Sequence, residues 1–362
     1  MRKRIGWSAV VLLGMGCALS AQQSGVGPTL PAPPSSESSS SGPLTIGAAV
    51  TDKAGHPVPG LQQQDFTLLD NGKPTQILRF DAHQESQGEA NPQNDPVQIL
   101  IVIDDVNAGF AAVSNERIQI DDFLHKDQGH LAAPVSLAFL SETGFDEIAA
   151  PSTDGNALSA ALDQHQGQLR DIGRSAGFYG GTERLEISLR ALMTLASHDA
   201  SVPGRKLVVW ISPGWWLFDN PNVMYTSRQQ RSFFDTIVAV SNMLRQSHVV
   251  LYSVDPLGMA DAGGFRTFLW ESFVKPVRSD NNATPGNLSL QVLAVQSGGK
   301  ALSGSNDIAG EIGQCAEDAL AWYSLTFNPE KSEKPNTWHQ LQLKVDKRGL
   351  IVRTRSGYYA QP

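Results

Sequence analysis

Apolar residues form four short runs in the middle of the chain, at residues 97–103, 135–140, 206–211 and 249–254. Continuous apolar runs of this length are typical of strands that are buried on both faces of a sheet. Segments with helical periodicity separate the runs, at residues 114–125, 155–165, 184–196 and 227–245. Strands that alternate with helices predict an α/β fold, in which a doubly wound, mostly parallel sheet carries helices on both faces.

Both ends of the chain show a different pattern, of short strands separated by turns. Near the start, the pair Asn71-Gly72 lies between the apolar residues 66–69 and 76–80, which predicts a hairpin. Near the end, residues 341–345 alternate between apolar and polar, and a second short run follows at residues 350–353. Each piece is too small to be stable alone. We therefore expect the two ends to meet in one small flanking β module.

The first residues have the features of an export signal. Three basic residues precede a short apolar stretch, and Ala18-Leu19-Ser20-Ala21 is a small-residue site of the kind that a signal peptidase accepts. Retention of this stretch as an uncleaved anchor and lipidation at Cys17 are the alternatives. Residues 22–43 are rich in Ser, Pro, Gly and Gln, which predicts a disordered linker.

The predicted organisation is therefore a signal peptide (1–21), a linker (22–43), the first part of the β module (44–82), the α/β domain (96–328) and the second part of the β module (338–360). The mature protein is expected in the periplasm, in the cell envelope or outside the cell. No membrane span is expected after signal cleavage.

Charge and cysteine content narrow the possible functions. The net charge is −8, and no dense run of Lys and Arg occurs after the first four residues, so a nucleic-acid surface is not expected. After signal cleavage Cys315 would be the one remaining cysteine, which excludes an intrachain disulfide. Its helical, apolar surroundings indicate a buried thiol rather than a nucleophile.

Several segments together resemble one family. Five segments of the chain are the stretch from Val50 to Leu61, the Asp70-Asn71-Gly72 turn, the residues Pro203-Gly204-Arg205-Lys206 before a predicted strand, the strand end Tyr252-Ser253-Val254-Asp255-Pro256, and the closing Arg355-Ser356-Gly357-Tyr358-Tyr359-Ala360. In their order and spacing these segments are similar to the VWFA-related Acidobacterial domain family. The resemblance implies a von Willebrand factor type A-like domain at residues 96–328, flanked by the β module. It implies no substrate.

The resemblance also implies where a metal ion would bind. Von Willebrand A domains often hold Mg²⁺ at the carboxyl edge of the sheet, with an Asp-x-Ser-x-Ser loop, a Thr and a further Asp as ligands. In this chain Asp104 and Thr182 match two of those positions, whereas Val106, Ala108 and Pro213 replace the other three. Asp105 and Asn107 are neighbouring oxygen donors that could compensate. The sequence predicts a degenerate site, with no bound cofactor as the expected state and Mg²⁺ as the alternative.

An aromatic cluster follows the third predicted loop. Trp215, Trp216 and Phe218 come directly after a Pro-Gly turn, where they could form an exposed anchor for a protein partner. We therefore expect an exported, non-enzymatic module that binds a protein or a surface through its carboxyl-edge loops. One alternative is a hydrolase with an unrecognised site; Ser175 lies in a Gly-x-Ser-x-Gly pattern, but no strand precedes it. The other alternative is a structural component of the envelope.

Overall fold

The computed structural model describes residues 42–84, 97–165, 177–215, 224–261 and 269–362. These residues form fourteen strands in three sheets and six α-helices. The strands are β1 (Leu44–Thr51), β2 (Phe66–Asp70), β3 (Lys73–Pro74), β4 (Ile77–Gln84), β5 (Val97–Asp104), β6 (His130–Ser141), β7 (Gly144–Asp154), β8 (Arg205–Ile211), β9 (Val249–Val254), β10 (Ala301–Leu302), β11 (Ala321–Phe327), β12 (Thr337–Val345), β13 (Ile351–Thr354) and β14 (Gly357–Ala360). The helices are α1 (Phe110–Leu124), α2 (Gly155–Gln164), α3 (Gly177–Asp199), α4 (Ser227–Gln246), α5 (Leu290–Ser297) and α6 (Ile308–Ala316).

The largest sheet has six strands in the order β10-β9-β8-β5-β6-β7. Its first five strands run parallel, and β7 pairs antiparallel with β6 at the edge. Helices α1, α2 and α6 pack on one face of this mixed sheet, and α3, α4 and α5 pack on the other. Within the described ranges, no helix combines the length and the apolar character that crossing a membrane requires.

The other two sheets have four strands each, and every pairing in them is antiparallel. Their strand orders are β13-β1-β11-β4 and β14-β12-β2-β3. A third apolar core includes side chains from both sheets, among them Ile46, Leu68, Tyr323 and Leu343. The two sheets together form the β module, which lies against the amino-terminal edge of the mixed sheet.

The predicted fold class is wrong. We expected a doubly wound, mostly parallel sheet with a small flanking module, but seven of the eleven strand pairings of the described residues are antiparallel. Strand β7 returns beside β6 because Gly144, at a φ of 118°, allows a tight turn there. Strand β11 is buried along its length, as a parallel strand would be, yet it lies between β1 and β4 in an antiparallel sheet.

The expected hairpin around Asn71-Gly72 is correct in its turn and wrong in its second arm. Both turn residues have positive φ values, as a tight hairpin turn requires. Across the turn, however, strand β2 pairs with the two-residue strand β3, and β4, which contains most of the predicted second arm, pairs with β11 in the other sheet. The chain crosses between the two sheets after Thr75, whose backbone N–H still donates to the carbonyl oxygen of Leu68 at 2.9 Å.

Candidate binding surface at the carboxyl edge of the mixed sheet

Four adjacent parallel strands, β9, β8, β5 and β6, bring their carboxyl ends to one edge of the mixed sheet. Polar residues stand at three of these ends: Asp104 is the last residue of β5, Ser212 follows β8 and Asp255 follows β9. Open α/β sheets bind their ligands at this edge, because the loops that follow the strands converge there. A binding site of this domain is therefore expected at this edge.

The carboxylate of Asp104 is fully buried and accepts hydrogen bonds from its own loop and from β8. Its Oδ1 accepts from the backbone N–H groups of Val106 at 3.0 Å and Asn107 at 2.8 Å. Its Oδ2 accepts from Nδ2 of Asn107 at 2.9 Å and from Nε1 of Trp210 at 3.0 Å. Burial raises the pKa of Asp104, and these hydrogen bonds oppose that shift. Both oxygens are thus used to hold the loop and the strand together.

The other residues of the predicted metal site pack in the domain or hydrogen-bond to its helices. Asn107 also donates to Oγ of Ser188 in α3 at 2.9 Å, which ties the loop to that helix. Thr182 is buried in the same helix. Val106 and Ala108, which stand where the resemblance would place two serines, are buried in the apolar cores on opposite faces of the sheet. The structure therefore brings Asp104 and Asn107 into direct contact and uses the neighbouring positions for packing.

Two further carboxyl groups lie under this edge and were not predicted. Glu116 on α1 is completely buried, and neither of its carboxyl oxygens has a hydrogen-bond partner among the described residues. Burial and then the negative charges of Asp104, Asp105 and Asp255 raise its pKa well above the ordinary value. On α6, burial and the charges of Asp255 and Asp307 raise the pKa of Glu311 to about 7. The carboxyl groups at this edge therefore lie close enough together to disfavour the charged forms of Glu116 and Glu311.

Among the described residues, no group of three or more His, Cys, Asp or Glu side chains has a geometry that could hold a metal ion. Asp105 is held by its backbone N–H, which donates to the carbonyl oxygen of Leu140 at 3.0 Å. Oδ1 of Asp255 accepts from the backbone N–H of Leu257 at 3.0 Å. The backbone of Asp105 and the carboxylate of Asp255 thus hold the loops that carry these residues.

Exposed apolar side chains accumulate on the loops of the same edge. Phe110 follows β5 and is 70% exposed, Met224 follows β8 and is 92% exposed, and Met259 follows β9 and is 66% exposed. Leu257, beside Met259, is also exposed. These are four of the seven large apolar side chains that are exposed among the described residues. We name these four residues the carboxyl-edge patch.

The predicted aromatic anchor is only partly described. Trp215 is 1% exposed, and its ring lies edge-on to Trp210 at a centroid distance of 5.2 Å. It is therefore a core residue that closes the sheet edge, not an exposed anchor. Trp216 and Phe218 lie outside the described residues, as do Ser175, Cys17 and the predicted signal peptide and cleavage site. Cys315 is buried on α6, where burial raises its thiol pKa.

The sequence contained a signal for the buried acids. Glu116 stands between Val113 and Ile120 on the face of α1 that packs on the sheet. Glu311 stands in the same way beside Ile308 and Ile312 on α6. A carboxylate at an apolar position of an amphipathic helix is an uncommon placement, and helical periodicity alone would have found both residues.

No protein-family model and no curated protein sequence matches the chain. Among solved structures, the chain is similar to proximal thread matrix protein 1 from the mussel byssus (10% identity, TM-score 0.35, 63% of this chain and 49% of that one). It is also similar to the pilus adhesin SpaC from Lactobacillus rhamnosus GG (9% identity, TM-score 0.35, 84% and 49%) and to the PilB minor pilin from Streptococcus sanguinis (10% identity, TM-score 0.31, 64% of each chain).

The chain thus spans about half the length of the first two proteins. TM-scores of this size do not establish a shared fold, so the functions in these names do not transfer to this chain. The resemblance to the VWFA-related family stays a prediction, because no family model matches.

Proposed function

We propose that this chain is an exported binding module that attaches to a protein partner through the carboxyl-edge patch. One observation carries the proposal: Phe110, Met224, Leu257 and Met259 are exposed on the segments that follow three adjacent parallel strands, with Phe110 at the start of α1. Exposed apolar side chains that are scattered singly are ordinary, whereas a group of them at one edge is typical of an interaction surface.

The chemistry of the patch favours a protein partner. Methionine is unbranched and polarisable, so Met224 and Met259 can adapt their shape to an apolar side chain of the partner. Phe110 adds a rigid aromatic group, of the kind that is enriched in the centres of interfaces. The buried sheet beneath the loops provides a fixed base, because each loop begins at a strand end that is held on both sides by its neighbours.

We propose further that this surface works without a bound metal ion. Asp104, the best match to a metal ligand, directs both carboxylate oxygens toward donors of its own loop and of Trp210. Mg²⁺ gives up its water ligands reluctantly and would have to displace these donors. The role of Asp104 in this proposal is to fix the loop that precedes Phe110.

Site-specific photo-crosslinking tests the proposal. A photoreactive benzoylphenylalanine is placed at Phe110 or at Met259 in the full-length chain, which is expressed in its native cells and irradiated. Each position should yield an adduct of one discrete mass, from which the partner is identified by mass spectrometry.

The matched control is the same photoreactive residue at Ile351, which is 50% exposed on β13 in the β module. It should yield no adduct of that mass. Equal adducts from all three positions, or none from the two carboxyl-edge positions, would contradict the proposal.

A further inference from the structure

A cavity of about 410 Å³ lies at the opposite, amino-terminal edge of the mixed sheet, where that edge meets the β module. Strands β1 and β11 line it from the module, and the start of β8 and the ends of α3 and α4 line it from the other side. Its volume falls in the range of sites that hold small organic molecules.

The charged side chains of this cavity all have the same sign. Arg205, Arg245 and Arg355 line it, together with His248, and its lining contains no Asp or Glu. The nearby carboxylate of Asp318 is already used: it accepts from Nη2 of Arg353 at 2.6 and 2.7 Å and from the hydroxyl of Tyr252 at 2.6 Å.

The guanidinium groups of the cavity retain unused hydrogen-bonding capacity. Arg205 is 4% exposed; its Nη1 donates to the carbonyl oxygen of Asp318 at 2.8 Å, but its Nε has no partner among the described residues. The Nε of Arg245 likewise has none there. Arg355 is also buried and donates to the carbonyl oxygens of Gly357 and Ser241, both at 3.2 Å, and no described carboxylate forms an ion pair with it.

The electrostatics of Arg355 agree with this geometry. Burial and then the positive charge of Arg245 lower its pKa to about 9. A buried cation beside a half-buried one of the same sign is costly, and an anion placed between Arg355 and Arg245 would reduce that cost. Lys206, next to Arg205 in the chain, differs from these arginines because backbone groups surround its charge. Its Nζ donates to three carbonyl oxygens, those of Asp199, Val202 and Ser247.

One part of the cavity wall is apolar and aromatic. Ile46, Leu244 and Val250 line it, and so does Trp322, whose ring lies 5.0 Å from the guanidinium carbon of Arg205. A ligand that matched both parts of this wall would carry a negative charge and an apolar group.

We propose that this cavity binds a small organic anion, whose carboxylate or phosphate group lies among Arg205, Arg245 and Arg355 and whose apolar part lies against Trp322. Guanidinium groups bind both kinds of oxyanion through paired N–H donors. The ligand is distinct from the protein partner proposed at the carboxyl edge, and neither proposal depends on the other.

Isothermal titration calorimetry on the full chain tests the proposal with four probes: inorganic phosphate, phenyl phosphate, benzoate and the neutral analogue benzyl alcohol. Ionic strength is held constant at pH 7. Phenyl phosphate or benzoate should bind at one site per chain, and benzyl alcohol should not. Binding of inorganic phosphate alone would overturn the apolar part of the proposal, and binding of no anionic probe would overturn all of it.

Two variants test the site itself. Arg245→Gln should weaken binding of the anionic probe at least about tenfold, while Arg348→Gln, on an exposed turn of the module, should leave it unchanged. Ser324→Asp places a carboxylate in the cavity wall next to the arginines, so it should abolish binding in a chain that circular dichroism shows to be folded. Undiminished binding by both Arg245→Gln and Ser324→Asp would place the ligand elsewhere and contradict the proposal.

Discussion

The two edges of the mixed sheet bury charges of opposite sign. At the carboxyl edge Glu116 and Glu311 are buried beside Asp104, Asp105 and Asp255, and the pKa values of both glutamates are raised. At the amino edge the cavity contains three arginines, and the pKa values of all three are lowered. At both edges the largest cause of the pKa shift is the burial of a charged group away from water.

The charged groups at the two edges fall into two classes, those that stabilise the fold and those that do not. Asp104 accepts hydrogen bonds from its own loop and from Trp210, and Lys206, at the other edge, donates to backbone carbonyl oxygens around it. Glu116, Arg245 and Arg355 lie near groups of like charge and have no ion-pair partner among the described residues. A buried charge without a counter-ion lowers stability. We infer that Asp104 and Lys206 hold the fold, whereas the unneutralised groups are the sites where a ligand or a proton would bind.

The largest effect should follow the loss of Asp104. Asp104→Ala leaves the indole N–H of Trp210 and the backbone N–H groups of Val106 and Asn107 without their acceptor. We expect the free energy of unfolding to fall by about 3 kcal/mol or more, as measured by urea denaturation.

The matched control is Asp122→Ala, on the exposed face of α1, which should change the free energy of unfolding by less than about 0.5 kcal/mol. Added Mg²⁺ should leave the midpoints of the wild type and of both variants unchanged. A midpoint that rises with Mg²⁺ in the wild type and not in Asp104→Ala would contradict the structural role of this carboxylate.

A smaller effect should follow the removal of charge from Glu311. Its pKa is about 7 in the fold and is raised from an ordinary value of 4.5. The folded state therefore prefers the protonated form, so stability is full below pH 4.5 and is lost as the pH rises through 7. Glu311→Gln should consequently be more stable than the wild type at pH 8, by about 1 to 3 kcal/mol, with little difference near pH 4.

Urea denaturation of both chains between pH 4 and pH 8 measures this difference. Glu183→Gln, an exposed substitution on α3, serves as the control and should show no such pH-dependent gain. A stability difference between Glu311→Gln and wild type that does not change with pH would show that the carboxyl edge does not store uncompensated charge at this residue.

Local segments could be predicted from the sequence better than their arrangement could. The four apolar runs lie in β5, β6, β8 and β9, because a continuous apolar run of this length has few alternatives to a buried strand. The direction of β7 and the sheet to which β11 belongs could not be read in the same way. Strand β11 is as apolar as a parallel strand, and only its partners β1 and β4, distant in the chain, determine its place.

The candidate site shows the same limit. Asp104 and Asn107 could be found because they follow a predicted strand directly. Trp215 was misassigned because an aromatic residue after a turn can either cover the sheet edge or face solvent, and only the packing against Trp210 decides between them. The cavity at the amino edge could not be predicted, because its arginines come from β8, from α4 and from the last turn before β14.

The most direct test of the central claim is the affinity of the chain for the partner that photo-crosslinking identifies. Met259→Asp places a charge in the carboxyl-edge patch, at a side chain that is 66% exposed. Ile351→Asp places the same charge in the β module, at an apolar side chain that is 50% exposed. Titration calorimetry should show a dissociation constant that is at least about tenfold higher for Met259→Asp and unchanged for Ile351→Asp. Unchanged affinity of Met259→Asp, or an equal loss in both variants, would contradict the account.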